Sequence, residues 1–329
     1  MRKLLILLII IPLLNSCFKE DTPVIPSDSG IITLKESMYS NQVFFDLGTS
    51  GEASVNPVEA WDLGFESSHD GWHITVNSGR YLGLVSTGST DFNNTTTVDP
   101  GAKWKYDKSD GNPDSTAVGK WISDDLLTPT NEVYMLGINN GIKYVPYKKV
   151  VFTAVGPKSY SFHYSDPDGS NPVSVTMLKD STVNYTCFSL NTGTTVGIEP
   201  PRDSWDLLFT QYSTTLYTSD SIPTPYFVRG VLSNPYGTAS ALDSLKTYDE
   251  ISISDTAGYK FSTLSDAIGY DWKRVKINDV TATYTVRDNY TYIIRSRGKA
   301  YYKLRFRGFY NDTGAPGYPK FEYKKLQVL

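Results

Sequence analysis

The chain has 329 residues and a formal net charge of −4, with 31 basic and 35 acidic side chains. No segment concentrates basic residues strongly, so nucleic acid is not expected as a partner. The two cysteines are Cys17 and Cys187. Because Cys17 is expected to carry lipid, Cys187 has no disulfide partner in the mature chain, and stability must come from hydrophobic cores.

The N-terminus has the organisation of a secretory signal peptide. A positively charged start precedes an apolar run from Leu4 to Leu14, and a small residue stands directly before Cys17. Such a short run cannot cross a hydrocarbon core of about 30 Å. We therefore predict a lipoprotein signal peptide over residues 1–16, with Cys17 as the acylated residue that attaches the protein to a lipid membrane. An ordinary secretory signal with an incidental cysteine is the alternative.

Residues 17–30 are predicted to form a lipidated, flexible tether. Lys19, Glu20 and Asp21 stand close to the cysteine, and this pattern resembles the surface-export signal of Bacteroidota lipoproteins. The resemblance implies a lipid-anchored protein of the outer membrane that is exposed at the cell surface. A merely solvated tether would have a similar composition, so the periplasmic face stays open.

The chain matches itself at a shift of 144 residues, which indicates an internal repeat. The corresponding segments are 34–37 with 178–181, Phe44 with Phe188, and 61–65 with 205–209. We predict two tandem domains, residues 31–172 and 173–329, divided in the turn-rich stretch 166–172. In the repeated Trp-Asp strand, Asp62 and Asp206 face away from the apolar side chains, where each can cap a turn or pair with Lys.

Apolar and charged side chains alternate in many segments, which predicts β-strands with one buried and one solvent-exposed face. Near the C-terminus, Tyr302, Leu304 and Phe306 would be buried, while the residues between them, including Lys303, would face water. Tyr and Thr are abundant, as in sheets, and helical periodicity is scarce. The predicted fold class is all-β, or β-dominated α+β, with two tandem domains of antiparallel sheets.

Four segments together resemble one known family of Bacteroidota lipoproteins. They are the Trp-Asp-Leu-x-Phe strand and the segments 268–273, 301–309 and 317–323. This combination is similar to the HmuY family, whose founding members capture haem at the cell surface. The resemblance covers the second copy more fully than the first. It implies a HmuY-like fold in each copy, haem or porphyrin as the ligand in iron acquisition, and an outer-membrane transporter as a partner.

The resemblance further implies two axial iron ligands, both His or both Met. They would lie on facing loops between the Trp-Asp strand and the closing strands, which are the last pair of strands in each copy. From Trp205 to the C-terminus the sequence contains neither His nor Met, so only Tyr could ligate iron there. His69, His73 and Met135 are therefore the candidate haem or metal ligands. The alternative is two surface-loop histidines and a core methionine, and it is favoured for the histidines because no carboxylate or cysteine stands at ligand spacing.

Trp72 and Tyr81 are the candidate aromatic contacts to a porphyrin face, because both lie near the histidines of the first copy. No nucleophile elbow, zinc-protease motif or phosphate loop occurs, so an enzyme is not expected. Two binding functions stay open. One is capture of haem or another porphyrin. The other is a non-haem ligand-binding or scaffold module for a glycan, a peptide or an outer-membrane partner, which keeps the fold without the iron site.

Overall fold

The computed structural model describes residues 30–125, 128–217, 223–278 and 281–327. The signal peptide, Cys17 and nearly all of the tether lie outside these ranges. Within them, no helix is both long enough and apolar enough to pass through a bilayer. The regular structure is almost entirely β, which confirms the all-β prediction. Four 3₁₀ helices of one or two turns occur at Val58–Ala60, Ser78–Arg80, Pro113–Ser115 and Ile253–Gly258.

Twenty strands occupy the described residues. They are β1 (Ile32–Thr33), β2 (Asn41–Asp46), β3 (Gly51–Pro57), β4 (Leu63–Glu66), β5 (Ile74–Val76), β6 (Leu82–Ser86), β7 (Val133–Asn139), β8 (Tyr144–Val155), β9 (Ser159–Ser165), β10 (Val173–Leu178), β11 (Tyr185–Ser189), β12 (Thr194–Val196), β13 (Leu207–Tyr217), β14 (Pro223–Ser233), β15 (Ala239–Asp243), β16 (Lys273–Asn278), β17 (Thr281–Val286), β18 (Thr291–Ser296), β19 (Ala300–Tyr310) and β20 (Pro316–Leu326).

The strands build two units of the same design, each a four-stranded sheet packed on a five-stranded sheet. The first unit pairs the sheet β12-β11-β4-β5 with β10-β9-β8-β7-β6. The second pairs β3-β2-β13-β14 with β1-β20-β19-β18-β15, and β16 and β17 form a separate hairpin. Since β4 to β12 are contiguous in the chain, we call the first the inserted unit and the second, built from β1–β3 and β13–β20, the host unit.

Each unit has its own aromatic core. In the inserted unit, Phe162 stacks on Phe65 with ring centroids 5.1 Å apart and receives the edge of Phe188 at 5.1 Å. In the host unit, Phe321 and Phe209 stack at 5.1 Å. The edge of Phe45 approaches Phe321 at 5.3 Å. The two cores therefore repeat one three-ring arrangement.

Both cores draw residues from both halves of the sequence. Phe45 of β2 pairs with Leu207 of β13, and Phe188 of β11 pairs with Leu63 of β4. We call β2 and β11 the opening strands, and each of them pairs with a Trp-Asp strand that lies in the other half of the sequence. The structural counterpart of Phe188 is Phe45, so the repeat slips by one residue relative to the Phe44 match in the sequence.

The turn-rich stretch between the two copies is a hairpin turn. The backbone N–H of Asp166 donates to the carbonyl of Ser170 at 2.9 Å, and Gly169 has φ +91°. This turn joins β9 to β10, which are hydrogen-bonded neighbours over six residue pairs. The predicted division at residue 172 therefore falls inside one five-stranded sheet.

The aspartates of the Trp-Asp strands are fully buried ion-pair partners. Asp62 pairs with Arg80, and Asp206 lies 3.3 Å from the guanidinium of Arg297. Burial raises the pKa of both carboxyl groups, and the arginines and backbone donors oppose that shift. The charged partner is thus Arg, where the sequence suggested Lys or a turn.

Two lysines on the outer faces of the five-stranded sheets are also buried, which corrects the solvent-exposed face predicted around Lys303. Lys303 is 5% exposed and donates to the carbonyls of Tyr248 at 2.6 Å and Ile251 at 2.9 Å. Lys149, in the matching strand β8, is 0% exposed and donates to the carbonyls of two residues in the 88–96 loop. The reason is that a loop covers each outer face.

Candidate functional site

His73 lies between two carboxylates. Its Nδ1 is 2.5 Å from Oε2 of Glu66 at the end of β4, and its Nε2 is 3.4 Å from Oδ1 of Asp114. The ring of Trp72 stacks on the imidazole with centroids 4.0 Å apart. The loop that joins Glu66 to His73 is fixed, because the side chains of Tyr160 and Lys179 both donate hydrogen bonds to the carbonyl of Gly71.

The electrostatics of this cluster favour a charged imidazole. Burial by itself would lower the pKa of His73, but the hydrogen bonds to Glu66 and Asp114 outweigh burial and raise it. Burial likewise opposes ionisation of Glu66, yet the bond from His73 brings its pKa down to about 2. With both ring nitrogens engaged by carboxylates, His73 has no free lone pair for iron.

His69 and His73 do not form a joint site. His69 has a side chain that is 74% exposed, and its Nδ1 contacts Asp70 at 2.6 Å. His73 has separate partners, as described above. In the part of the chain that the structure describes, no group of three or more His, Cys, Asp or Glu side chains could hold a metal ion.

Met135 is completely buried in β7, where its neighbours across the sheet are Val85 and Lys149. The loop held by Lys149 covers this face of the sheet. A ligand could reach the thioether only if that loop opened, so the methionine is packed as a core residue.

The two candidate aromatic contacts lie in different surroundings. Trp72 packs against the core of the inserted unit, and its carbonyl accepts a 2.8 Å hydrogen bond from the indole of Trp121. Tyr81 lies where the two units meet. Its ring meets the edge of Phe227 at 4.3 Å, and its hydroxyl accepts from Arg229 at 3.1 Å.

A groove with a volume of about 700 Å³ runs between residues 104–117 of the inserted unit and the end of β13. We call it the aromatic groove and define it by Trp104, Tyr106, Tyr217, Lys105 and Lys108. Its size is within the range of roughly 300–1,000 Å³ that is usual for ligand sites. Sequence reasoning missed this groove, because its two walls are about a hundred residues apart in the chain.

A smaller cavity of about 230 Å³, the seam cavity, lies between the two four-stranded sheets. Its apolar wall contains Phe44, Trp205 and Cys187, and the edge of Phe44 approaches Trp205 at 4.9 Å. Burial raises the pKa of the Cys187 thiol well above its ordinary value, so this cysteine is not a nucleophile. Close approach of the units at this point needs Gly79, since a Cβ there would lie 2.7 Å from the carbonyl oxygen of Gln211.

Two carboxylates line the seam cavity, and both are held by hydrogen-bond donors. Asp107, which also lines the aromatic groove, accepts 2.7 Å bonds from the backbone of Val76 and Ala117. Burial raises the pKa of Asp107 to about 7. Glu199 accepts 3.0 Å bonds from the backbone of Asn184 and Tyr185, and burial raises its pKa as well.

Five residues that line the seam cavity each have a buried polar side-chain atom without a hydrogen-bond partner among the described residues. These atoms are Nε2 of Gln42, Nε1 of Trp61, Oε1 of Gln211, and the hydroxyls of Tyr212 and Ser233. An unpaired buried group of this kind costs about 1–3 kcal/mol, and native proteins contain few of them. Their concentration in one cavity marks it as a second candidate site.

One comparison with known proteins identifies the family. The sequence model of the HmuY family, described as HmuY protein, matches residues 38–168 and 181–323. Among curated proteins, none matches the sequence.

Three solved structures illustrate the similarity. A Bacteroides vulgatus protein described as HmuY-like and haem-binding is 13% identical, with a TM-score of 0.22 and coverage of 89% of this chain and 90% of the other. Apo PinO from Porphyromonas gingivitis is 10% identical, with a TM-score of 0.26 and coverage of 91% and 99%. The apo HmuY analogue TFO from Tannerella forsythia is 10% identical, with a TM-score of 0.24 and coverage of 91% and 96%. Because the family match spans most of the sequence, this chain belongs to the HmuY family.

Proposed function

We propose that this protein is a lipid-anchored binding protein of the cell surface that captures haem or a related porphyrin for iron acquisition. The aromatic groove carries the proposal. It is wide enough for a ligand of this class, and its walls come from residues 104–117 and from the end of β13. The wall formed by residues 104–117 lies between the first Trp-Asp strand and the strands that close the inserted unit, where the family resemblance places a ligand-bearing loop.

The residues of the groove fit a porphyrin ring better than they fit its iron. Trp104 stacks on Tyr144 with centroids 4.7 Å apart, which supports a flat aromatic wall. Lys105 and Lys108 are exposed beside it and can pair with the propionate groups. Among the described residues that line the groove there is neither His nor Met, so the family's paired axial ligation does not fit there. Burial of the ring faces therefore supplies the affinity.

The second candidate function is that of a non-haem ligand-binding module. One observation favours it, namely the five unpaired polar atoms around the seam cavity. This cavity is about a third of the volume of the groove and is too small for a porphyrin. Both candidates are binding functions, and neither assigns a reaction to the protein.

We infer that residues 31–172 and 173–329 are two copies of one unit whose opening strands are exchanged. The equal strand order of the two sheet pairs supports this inference. We also propose that Cys17 is acylated, that the anchor lies in the outer membrane, and that a transporter there receives the ligand. Mass spectrometry of the mature N-terminus tests the anchor, and an unmodified residue 17 would contradict it.

A haemin titration of the purified protein, followed through the Soret band, tests the proposed function. We expect a shifted band, and Tyr217→Ala should weaken binding by about three- to tenfold because it removes one aromatic wall. The control is Tyr236→Ala, an exposed tyrosine that lines neither the groove nor the cavity. An unchanged Soret band would overturn the proposal. If His73→Ala abolished the shift of the Soret band and Tyr217→Ala did not change it, the haemin site would lie at His73 and not in the aromatic groove.

A further inference from the structure

We propose that the seam cavity is a second binding site, separate from the aromatic groove, and that it takes one small neutral polyhydroxylated molecule such as a monosaccharide. The inference goes beyond porphyrin binding and does not depend on it. It rests on the unpaired polar atoms, the held carboxylates and the aromatic wall of this cavity.

The unpaired atoms are built into the protein rather than lying at its surface. Gln42 is 4% exposed, Gln211 6%, Tyr212 4% and Ser233 2%. The amide of Gln211 is fixed, because its Nε2 donates to the carbonyl of Gly79. Its Oε1 is therefore left to accept a hydrogen bond from a molecule in the cavity.

These atoms require a ligand that both donates and accepts. Nε2 of Gln42 and Nε1 of Trp61 can only donate, whereas Oε1 of Gln211 can only accept. The hydroxyls of Tyr212 and Ser233 can do either. A hydroxyl group meets each of these requirements, and several hydroxyls on one small frame meet them together.

The charges around the cavity favour a neutral ligand. Asp107 and Glu199 already accept hydrogen bonds from backbone donors, so neither carboxylate requires a cation. In the described part of the chain, Lys108 is the only cationic side chain that lines the cavity, and it is exposed at the rim. An anionic ligand would therefore lie near two carboxylates without a buried positive partner.

Size and shape narrow the class further. Phe44, Trp61 and Trp205 provide aromatic surface on which the C–H face of a sugar ring can pack. The volume of about 230 Å³ suits one ring and excludes a longer glycan held along its whole length. Exposed Asn112 and Pro113 lie at the rim, so a small solute can reach the cavity from solvent.

Isothermal titration calorimetry of the purified protein with D-glucose, D-galactose, D-mannose and N-acetyl-D-glucosamine tests the proposal. We expect at least one of these sugars to bind with a stoichiometry of one. Ser233→Ala and Gln42→Leu should each weaken that binding by roughly three- to tenfold, since each removes one ligand hydrogen bond. Ser240→Ala is the matched control, because Ser240 is also buried and unpaired but does not line the cavity.

The variants should fold, because each removes an unpaired polar group and so leaves the melting temperature of the sugar-free protein equal or higher. Lack of heat from all four sugars at millimolar concentration would overturn the proposal. So would binding that Ser233→Ala and Gln42→Leu leave unchanged. The titrations contain no porphyrin, so failure here and failure of haemin binding are separate results.

Discussion

The carboxylate of Asp62 accepts a 2.7 Å hydrogen bond from the backbone N–H of Leu190, although 128 residues separate them. Asp206 accepts the equivalent bond from Leu47 at 3.0 Å across 159 residues. In both cases the aspartate that precedes a strand holds the residue that directly follows a strand far away in the chain, β11 for Asp62 and β2 for Asp206. These two contacts support the proposed exchange of opening strands.

Removing one of these carboxylates should be severely destabilising. Asp62→Ala deprives the mostly buried guanidinium of Arg80 and the N–H of Leu190 of their carboxylate partner, so we expect a loss of about 3–5 kcal/mol in the free energy of unfolding. Urea denaturation measures it. The control is Asp124→Ala, which breaks an exposed pair with Lys120 and should change stability by less than about 0.5 kcal/mol. A loss below about 1 kcal/mol in Asp62→Ala would show that the contacts of the Asp62 carboxylate with Arg80 and Leu190 contribute little to stability.

The strand exchange also predicts which fragments fold. Residues 58–198 contain both sheets of the inserted unit, so this fragment should unfold cooperatively by circular dichroism. Residues 31–172 lack β10 and β11, and residues 173–329 lack β1 and β2, so both should fail to fold. A cooperative transition for 173–329 together with a disordered 58–198 would contradict the insertion.

The His73 cluster predicts a pH-dependent contribution to stability. A histidine whose pKa is raised on folding stabilises fully below its unfolded pKa of about 6.5, and this stabilisation is lost as the pH rises through the folded pKa. Glu66 stays ionised down to about pH 2. His73→Asn should therefore cost about 2 kcal/mol between roughly pH 4 and 6 and less at alkaline pH.

Urea denaturation at several pH values measures this effect. His69→Asn serves as the control, because His69 is exposed and should contribute less than about 0.5 kcal/mol throughout. A deficit in His73→Asn that grows with rising pH would have the wrong sign and would rule out the proposed charge state.

Replacing a buried lysine should destabilise the protein more than replacing an exposed one. Lys303→Met leaves the carbonyls of Tyr248 and Ile251 without their donor, so we expect a loss of about 1–3 kcal/mol and faster hydrogen exchange in the loop that they anchor. Lys299→Met, at an exposed position, is the control. Equal stability of the two variants would mean that Lys303 does not hold the loop.

The sequence predicts the positions of the strands better than it predicts which strands and loops pack against them. Alternation around Tyr302 and Phe306 identifies a strand and its apolar face, but it contains no information about the loop that covers Lys303 on the other face. The repeat predicts two similar units, yet a one-residue slip reverses the faces of a strand, and it is Phe45 rather than Phe44 that enters the core. The partner of each opening strand is decided by contacts between residues far apart in the sequence, and the local hydrophobic periodicity contains no information about such contacts.

The candidate site was less predictable still. The spacing of His69 and His73 gave no sign that Glu66 and Asp114 would occupy the second histidine. Four of the five residues with unpaired atoms at the seam cavity lie in strands, namely Gln42, Gln211, Tyr212 and Ser233. Polar residues in strands commonly face water, so nothing in the sequence indicates that these side chains are buried.

The ratio of the dissociation constants of haemin and iron-free protoporphyrin IX tests the central claim most directly, with tryptophan fluorescence quenching as the readout. Both ligands share the ring faces and the propionates, and only haemin has iron. If the aromatic groove binds the ring without axial ligands, the two constants should agree within about threefold. A preference for haemin of about a hundredfold or more, or no binding of either ligand at micromolar concentration, would contradict the account.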